Sequence, residues 1–229
     1  MTGVALAISG LEVTGQGGRR ILSVPRLQVP AGAAVAVRGP SGAGKSTLLY
    51  AMAGIIAPAQ GRILWGDTDI AARDDRGRAA FRRENVGFIF QEHLLFEELS
   101  ALGNAAITAL YAPRRDRRRI RDSADGLLAR LGLGESAARR SDTFSGGERQ
   151  RIAVVRALAG DAPVILADEP TASLDRPNAD ALADDLMRLA RDDGRTLIAV
   201  SHDPALHDRA DHVIDVVDGR VETPEVQHA

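Results

Sequence analysis

The chain has 229 residues, 45% of them hydrophobic and 26% charged, with a formal net charge of -2; that is the balance of a soluble globular protein and excludes a disordered one. Near-neutrality argues against nucleic acid as the main partner. The absence of cysteine excludes a disulfide framework, thiolate metal sites and a cysteine nucleophile, and permits a reducing compartment.

In chain order, Val4–Val13 and Ile21–Val29 read as strands, because β-branched residues are bounded by Gly15, Gly17, Gly18 and the Pro30–Gly32 turn. Ala33–Arg38 is a short apolar strand running into GPSGAGKST at Gly39–Thr47, and Leu48–Met52 continues as helix ending near Gly54. Further strands are expected at Arg62–Trp65, Val86–Phe90, Val164–Ala167, Thr196–Ser201 and His212–Val217. Several are apolar throughout, as a parallel sheet covered on both faces requires. Between Gln91 and Gly160 the character changes: Ala101–Tyr111, Arg114–Leu131 and Glu148–Leu158 are helical in composition. The expectation is one α/β unit, with 1–91 and 161–221 as core, 92–160 as a helical insertion and 222–229 as a polar tail. No stretch reaches the ~20 apolar residues of a spanning helix, and MTGVALAISG lacks the basic start of a signal peptide, so the chain is expected to stay where it is made.

Gly39–Ser46 satisfies G-x-x-x-x-G-K-[ST] between a strand and a helix, the context such a match needs. Gly39, Pro40, Ser41, Gly42, Ala43 and Gly44 form a loop whose backbone N–H groups can wrap an anion. The following helix aims its positive end at the phosphates, with Thr47 in its first turn. Lys45 supplies a point charge to the β- and γ-phosphates and Ser46 a hydroxyl for Mg²⁺. The loop itself leaves ATP and GTP both open. A buried strand end, Val164–Ala167, delivers Asp168 for the metal and Glu169, one step further out, to activate water.

FSGGERQR at Phe144–Arg151 places Ser145, Gly146 and Gly147 at a helix start, a second anion-binding arrangement in the same chain. With these three motifs in this order the chain resembles the nucleotide-binding subunit of ABC transporters, from about Ile8 to Val221. The resemblance implies a P-loop NTPase core with a mostly parallel sheet, an N-terminal antiparallel β subdomain and an inserted helical subdomain. It implies ATP and Mg²⁺ as cofactors. It carries Gln91 to the glutamine loop linking metal or water to the helical subdomain, and His202 to the switch histidine that contacts the γ-phosphate. Ser173, Leu174 and Asp175 become the loop that meets the opposite subunit at the nucleotide.

NVGFIFQEHLLFEELSALGN at Asn85–Asn104 and ADEPTASLD at Ala167–Asp175 are most similar to the LolD/MacB/FtsE branch. The branch implies an ATPase that forms an ATP-induced head-to-tail homodimer, pairs with integral membrane permease subunits and touches the membrane only through them. Its place would be cytoplasmic, on the inner face of the cell membrane. The alternative within the branch is an FtsE-like ATPase that signals through a membrane scaffold without moving a substrate. The family usually stacks an aromatic ring on adenine before the P-loop. Leu11–Arg20 contains none, so an aliphatic contact such as Val13 is expected in its place.

Two compositional features remain. Lys45 is the only lysine, every other basic position being arginine. Arg114–Arg121 carries six arginines with no interleaved aromatic, which is a solvated helix face or a contact for anionic headgroups or an acidic loop, and not a nucleic-acid site.

Overall fold

The computed structural model describes residues 3–172 and 174–222, so the expectations for Ser173 and for residues 223–229 fall outside it. Among the described residues ten strands form one sheet: β1 (Leu6–Thr14), β2 (Arg20–Val29), β3 (Ala34–Arg38), β4 (Gln60–Trp65), β5 (Thr68–Asp69), β6 (Val86–Ile89), β7 (Val164–Asp168), β8 (Thr196–Val200), β9 (His212–Val217) and β10 (Arg220–Glu222). Their order is β5-β4-β1-β2-β10-β9-β3-β8-β7-β6. The β5-β4-β1-β2 end is antiparallel and the β9-β3-β8-β7-β6 end is parallel throughout. Among the described residues seven α-helices accompany it: α1 (Lys45–Met52), α2 (Asp75–Asn85), α3 (Ala101–Ala105), α4 (Arg114–Arg130), α5 (Gly146–Leu158), α6 (Arg176–Asp192) and α7 (Pro204–Arg209).

The central parallel strands β3, β7 and β8 are buried along nearly their whole length because each face enters a different core. Along β3, Ala34 and Ala36 join Ile165, Ala167, Leu197 and Ala199 in one core, which is shared with α4, α5 and α6. Val35 and Val37 join Val164, Leu166, Ile198 and Val200 in the other, shared with α1 and the antiparallel strands. A period of two thus separates two hydrophobic layers.

The expected strands are present within a residue or two of their predicted ends, and β5 and β10 are additions. The expected helix over Ala101–Tyr111 is shorter. It leaves helical geometry at Ala106 (φ -96°, ψ 11°), and Ile107–Leu110 continues as a 3-10 turn. β-branched Ile107 and Thr108 weaken helix continuation there, and the buried Asn104 amide binds Phe96 on the loop before. No helix among the described residues is long and apolar enough to cross a membrane.

Candidate functional site

Strands β3, β8, β7 and β6 are parallel neighbours, with Val37 opposite Val200, Val200 opposite Asp168, and Ala167 opposite Ile89. Their carboxyl ends therefore open on one edge, where α/β sheets bind ligands. From that edge leave the glycine loop after β3, His202 after β8, Glu169 after β7 and Gln91 after β6. They surround a cavity of about 740 Å³ whose lining includes Ser41, Gly42, Gly44, Lys45, Ser46, Thr47, Gln91, Glu169 and His202, a volume in the range of small-molecule sites.

The loop has the backbone its glycines predict. Gly42 (φ 77°) and Gly44 (φ 99°) are left-handed, and Gly44 starts α1 directly at Lys45. At Gly39 a β-carbon would lie 2.0 Å from the Val216 carbonyl oxygen. Lys45 is buried and folded onto its own loop, donating to the carbonyls of Gly39 (2.9 Å) and Pro40 (3.0 Å), with His202 Nε2 at 3.1 Å. An ammonium only donates, so His202 Nε2 is the acceptor in this contact.

Asp168 is buried and accepts from Ser46 Oγ at 3.1 Å. Tyr50, one turn beyond Ser46 on α1, hydrogen-bonds the same carboxylate. Burial, together with Asp168, pushes the Tyr50 phenol up to about 12, and its ring packs on Phe88 with centroids 5.7 Å apart. Glu169 sits at φ 47°, a left-handed conformation a non-glycine residue adopts at a cost. It is held by its N–H to the Val200 carbonyl (2.9 Å) and by its Oε2, which accepts the His202 N–H at 3.2 Å. Its Oε1 lies 3.5 Å from His202 Nε2. Ser46 and Asp168 are an oxygen-only pair, and no cluster of three His, Cys, Asp or Glu side chains occurs among the described residues. That donor set fits Mg²⁺, which keeps waters and takes phosphate oxygens, and not a soft metal held in a protein cage.

The structure corrects the expectation for Val13. It is 2% exposed in the core because the β1–β2 register sets it opposite Leu22. Ile21, one residue earlier on β2, faces outward instead, is 40% exposed and lines the cavity. Ile21 and Tyr50 are the site residues that sequence reading missed. Spacing offers one signal, that Tyr50 lies at i+4 from Ser46 on one helix face.

Ser145, Gly146, Gly147 and Asp175 are not among the residues lining the cavity. Ser145 caps α5 in a reciprocal box: its Oγ accepts from the Glu148 N–H (3.4 Å) and Glu148 Oε2 accepts from the Ser145 N–H (2.8 Å). These bonds hold the Glu148 carboxyl below its usual range. Asp175 caps α6, accepting from the Asn178 N–H at 3.1 Å. Leu174 links the two regions, lining the cavity and packing close to Gly147. Beyond Gln91, the Arg156 guanidinium on α5 donates to the carbonyls of His93 (2.9 Å) and Leu94 (2.7 Å), fixing a loop that exposes Leu94 and Phe96.

A glycine loop closed on a lysine, a hydroxyl–carboxylate pair and a glutamate–histidine pair at one edge of a parallel sheet define a P-loop NTPase domain. The ABC transporter family profile matches residues 22–172. A macrolide export ATP-binding/permease protein MacB of Rhodopseudomonas palustris is 46% identical over 85% of this chain and 30% of its own length. A lipoprotein-releasing system ATP-binding protein LolD of Anaeromyxobacter dehalogenans is 41% identical over 85% of this chain and 82% of its own. A dimeric bacterial ABC transporter cassette superposes with TM-score 0.86 at 29% identity, covering 98% of this chain and 100% of that one. A dimeric post-hydrolysis cassette bound to ADP and Pi gives TM-score 0.85 at 28% identity, with the same coverage. The chain belongs to the ABC transporter family, and its relatives are of the macrolide-export and lipoprotein-release branch. It spans about a third of the length of the macrolide-export relatives it matches.

Proposed function

We propose that this chain is the Mg²⁺-dependent ATP-hydrolysing subunit of a transport complex, working as a head-to-tail homodimer on integral membrane permease subunits. The observation that carries it is the convergence of Lys45, Ser46, Glu169, His202 and Gln91 on one cavity, with the buried Asp168 accepting from Ser46. The phosphate chain lies along Gly39–Thr47, and Lys45 exchanges its loop carbonyls for phosphate oxygens. Ser46, Asp168 and Gln91 would hold Mg²⁺, which would supply positive charge to those oxygens. Glu169 orients the attacking water and takes its proton, while His202, freed from Lys45, turns to the γ-phosphate. Ile21 gives the base an aliphatic wall.

Ser145, Gly146 and Gly147 lie off the cavity of their own chain, so they serve the nucleotide of a second copy, with Leu174 and Asp175 at the same junction. The dimeric assembly of the two cassettes supports this arrangement. The exposed Leu94 and Phe96, fixed by Arg156 beyond Gln91, give a permease an apolar foothold one step from the metal. The chain accordingly sits on the cytoplasmic face of the membrane, held there by the permease. No observation favours signalling without transport.

The test is phosphate release with Mg²⁺-ATP. The wild-type chain hydrolyses, and Glu169→Gln retains ATP while losing turnover. Turnover by Glu169→Gln at the wild-type rate would overturn the assignment.

A further inference from the structure

The first two turns of α4 hold more positive charge than the fold pairs internally. Residues 113–122 carry six arginines against two aspartates, a local +4 in a chain of net -2. Cations at a helix N-terminus run against the helix dipole, so this placement weakens α4 and calls for a compensating partner. Internal pairing supplies little. Arg119 reaches Asp161, while Arg115 and Arg118 make only 3.6–3.7 Å contacts to Asp116 and Asp122 with their side chains 87% and 92% exposed. Arg114 and Arg121 make no ion pair among the described residues.

The arrangement is directional. Ile120, Ala124, Leu127 and Leu128 form the buried stripe of α4. At about 100° per residue, Arg114, Arg115, Arg118, Arg119 and Arg121 spread over an arc of roughly 160° on the opposite side. Arg117 turns back instead and donates to the carbonyls of Leu110 (3.3 Å) and Ala112 (3.1 Å), locking the preceding corner onto the helix. That corner displays Leu110, 64% exposed, and Tyr111, 74% exposed. A tyrosine and a leucine at the tip of a broad arginine arc form an apolar wedge within a diffuse cationic field.

We infer that the Leu110–Arg121 corner rests on an anionic lipid surface, with arginines on headgroup phosphates and Tyr111 and Leu110 in the interfacial layer. A spread of charge over so wide an arc suits a fluid, many-sited surface better than a single acidic loop of fixed register. Aromatic and basic residues together are the usual anchors at that depth. The inference rests on the reading that the chain works against a membrane, and it adds a contact of the chain's own to the one through the permease.

The test is co-sedimentation of the full chain with vesicles of phosphatidylcholine, with and without roughly one part in three phosphatidylglycerol. The wild-type chain should bind the anionic vesicles and release them as NaCl rises from about 0.05 M to about 0.5 M, which shortens the screening length. Arg114→Gln, Arg115→Gln and Arg118→Gln together should cut that affinity by roughly a hundredfold, at about five-fold per arginine. Tyr111→Ser should lower binding to a degree that salt does not change. ATP turnover should be unaltered in both variants, and neither should melt below the wild type, the triple variant melting higher as its helix N-terminus sheds three opposed charges; this separates lost binding from lost folding. Equal binding to neutral and anionic vesicles, or full binding by the triple variant, overturns the inference. So does a triple variant that binds vesicles normally but no longer copurifies with its membrane partner, which would assign the arginines to an acidic protein loop. A wild-type chain that binds anionic vesicles yet hydrolyses no ATP sinks the ATPase reading alone.

Discussion

At the residue scale, Lys45 has all three ammonium donors engaged before any phosphate arrives, two on carbonyls of its own loop and one on His202. A planar guanidinium is bulkier and cannot thread the same ring of acceptors. Lys45→Arg should therefore lower phosphate release at least about a hundredfold, the scale on which removing a transition-state donor acts. Gly39 answers to sterics, since a β-carbon would meet the Val216 carbonyl at 2.0 Å. Gly39→Ala should cost about 2–4 kcal/mol in a thermal melt. Tyr50→Phe removes one donor from the buried Asp168 and should raise the Mg²⁺ concentration for half-maximal rate severalfold with the fold intact. The glycine loop was legible in sequence because its spacing encodes a backbone shape. Ile21 was not, because only the β1–β2 register decides that Val13 faces the core beside Leu22 while Ile21 faces the cavity.

Among the elements, α5 begins with a box in which Ser145 and Glu148 satisfy each other's end groups. Glu148→Ala should cost about 1 kcal/mol and loosen the first turn, read by amide exchange at Glu148 and Arg149. The native carboxyl is held below its unfolded value. Its contribution is therefore complete above the unfolded value of about 4.3 and lost as pH falls through the lower native one. The difference in melting temperature between wild type and Glu148→Ala should accordingly shrink in acid. The strands were readable because doubly buried strands are continuous apolar runs, and α4 and α5 because of their composition. Helix α2 was not singled out: Phe81 is its one buried residue, so it has no apolar stripe to read, and it is marked by the Asp74 cap, which accepts from the Gly77 N–H. Composition also overran α3, where Asn104 spends its amide on the Phe96 loop.

For the molecule as a whole, the two halves of the proposed catalytic arrangement face different ways in one chain. Ser41, Gly42, Gly44, Lys45, Ser46 and Glu169 line the cavity, and Ser145–Gly147 do not. The proposed arrangement therefore draws Ser145–Gly147 from a second chain. Glu169→Gln with Mg²⁺-ATP should run at twice the monomer mass in light scattering and return to monomer when nucleotide is removed. A persistent monomer with ATP bound would refute the head-to-tail arrangement. The order of motifs was fully legible along the chain; what the sequence could not display is which of them share a cavity, because that depends on the strand order β3-β8-β7-β6.

The single lysine has a further consequence for chemistry at the bench. An acylating reagent meets one side-chain amine in this chain, on a residue that is 7% exposed at the floor of the glycine loop. Apart from the terminal amine, a mass increment after brief acylation reports on one atom, Lys45 Nζ. Its rate of appearance becomes a direct readout of nucleotide occupancy that needs neither a label nor a mutation.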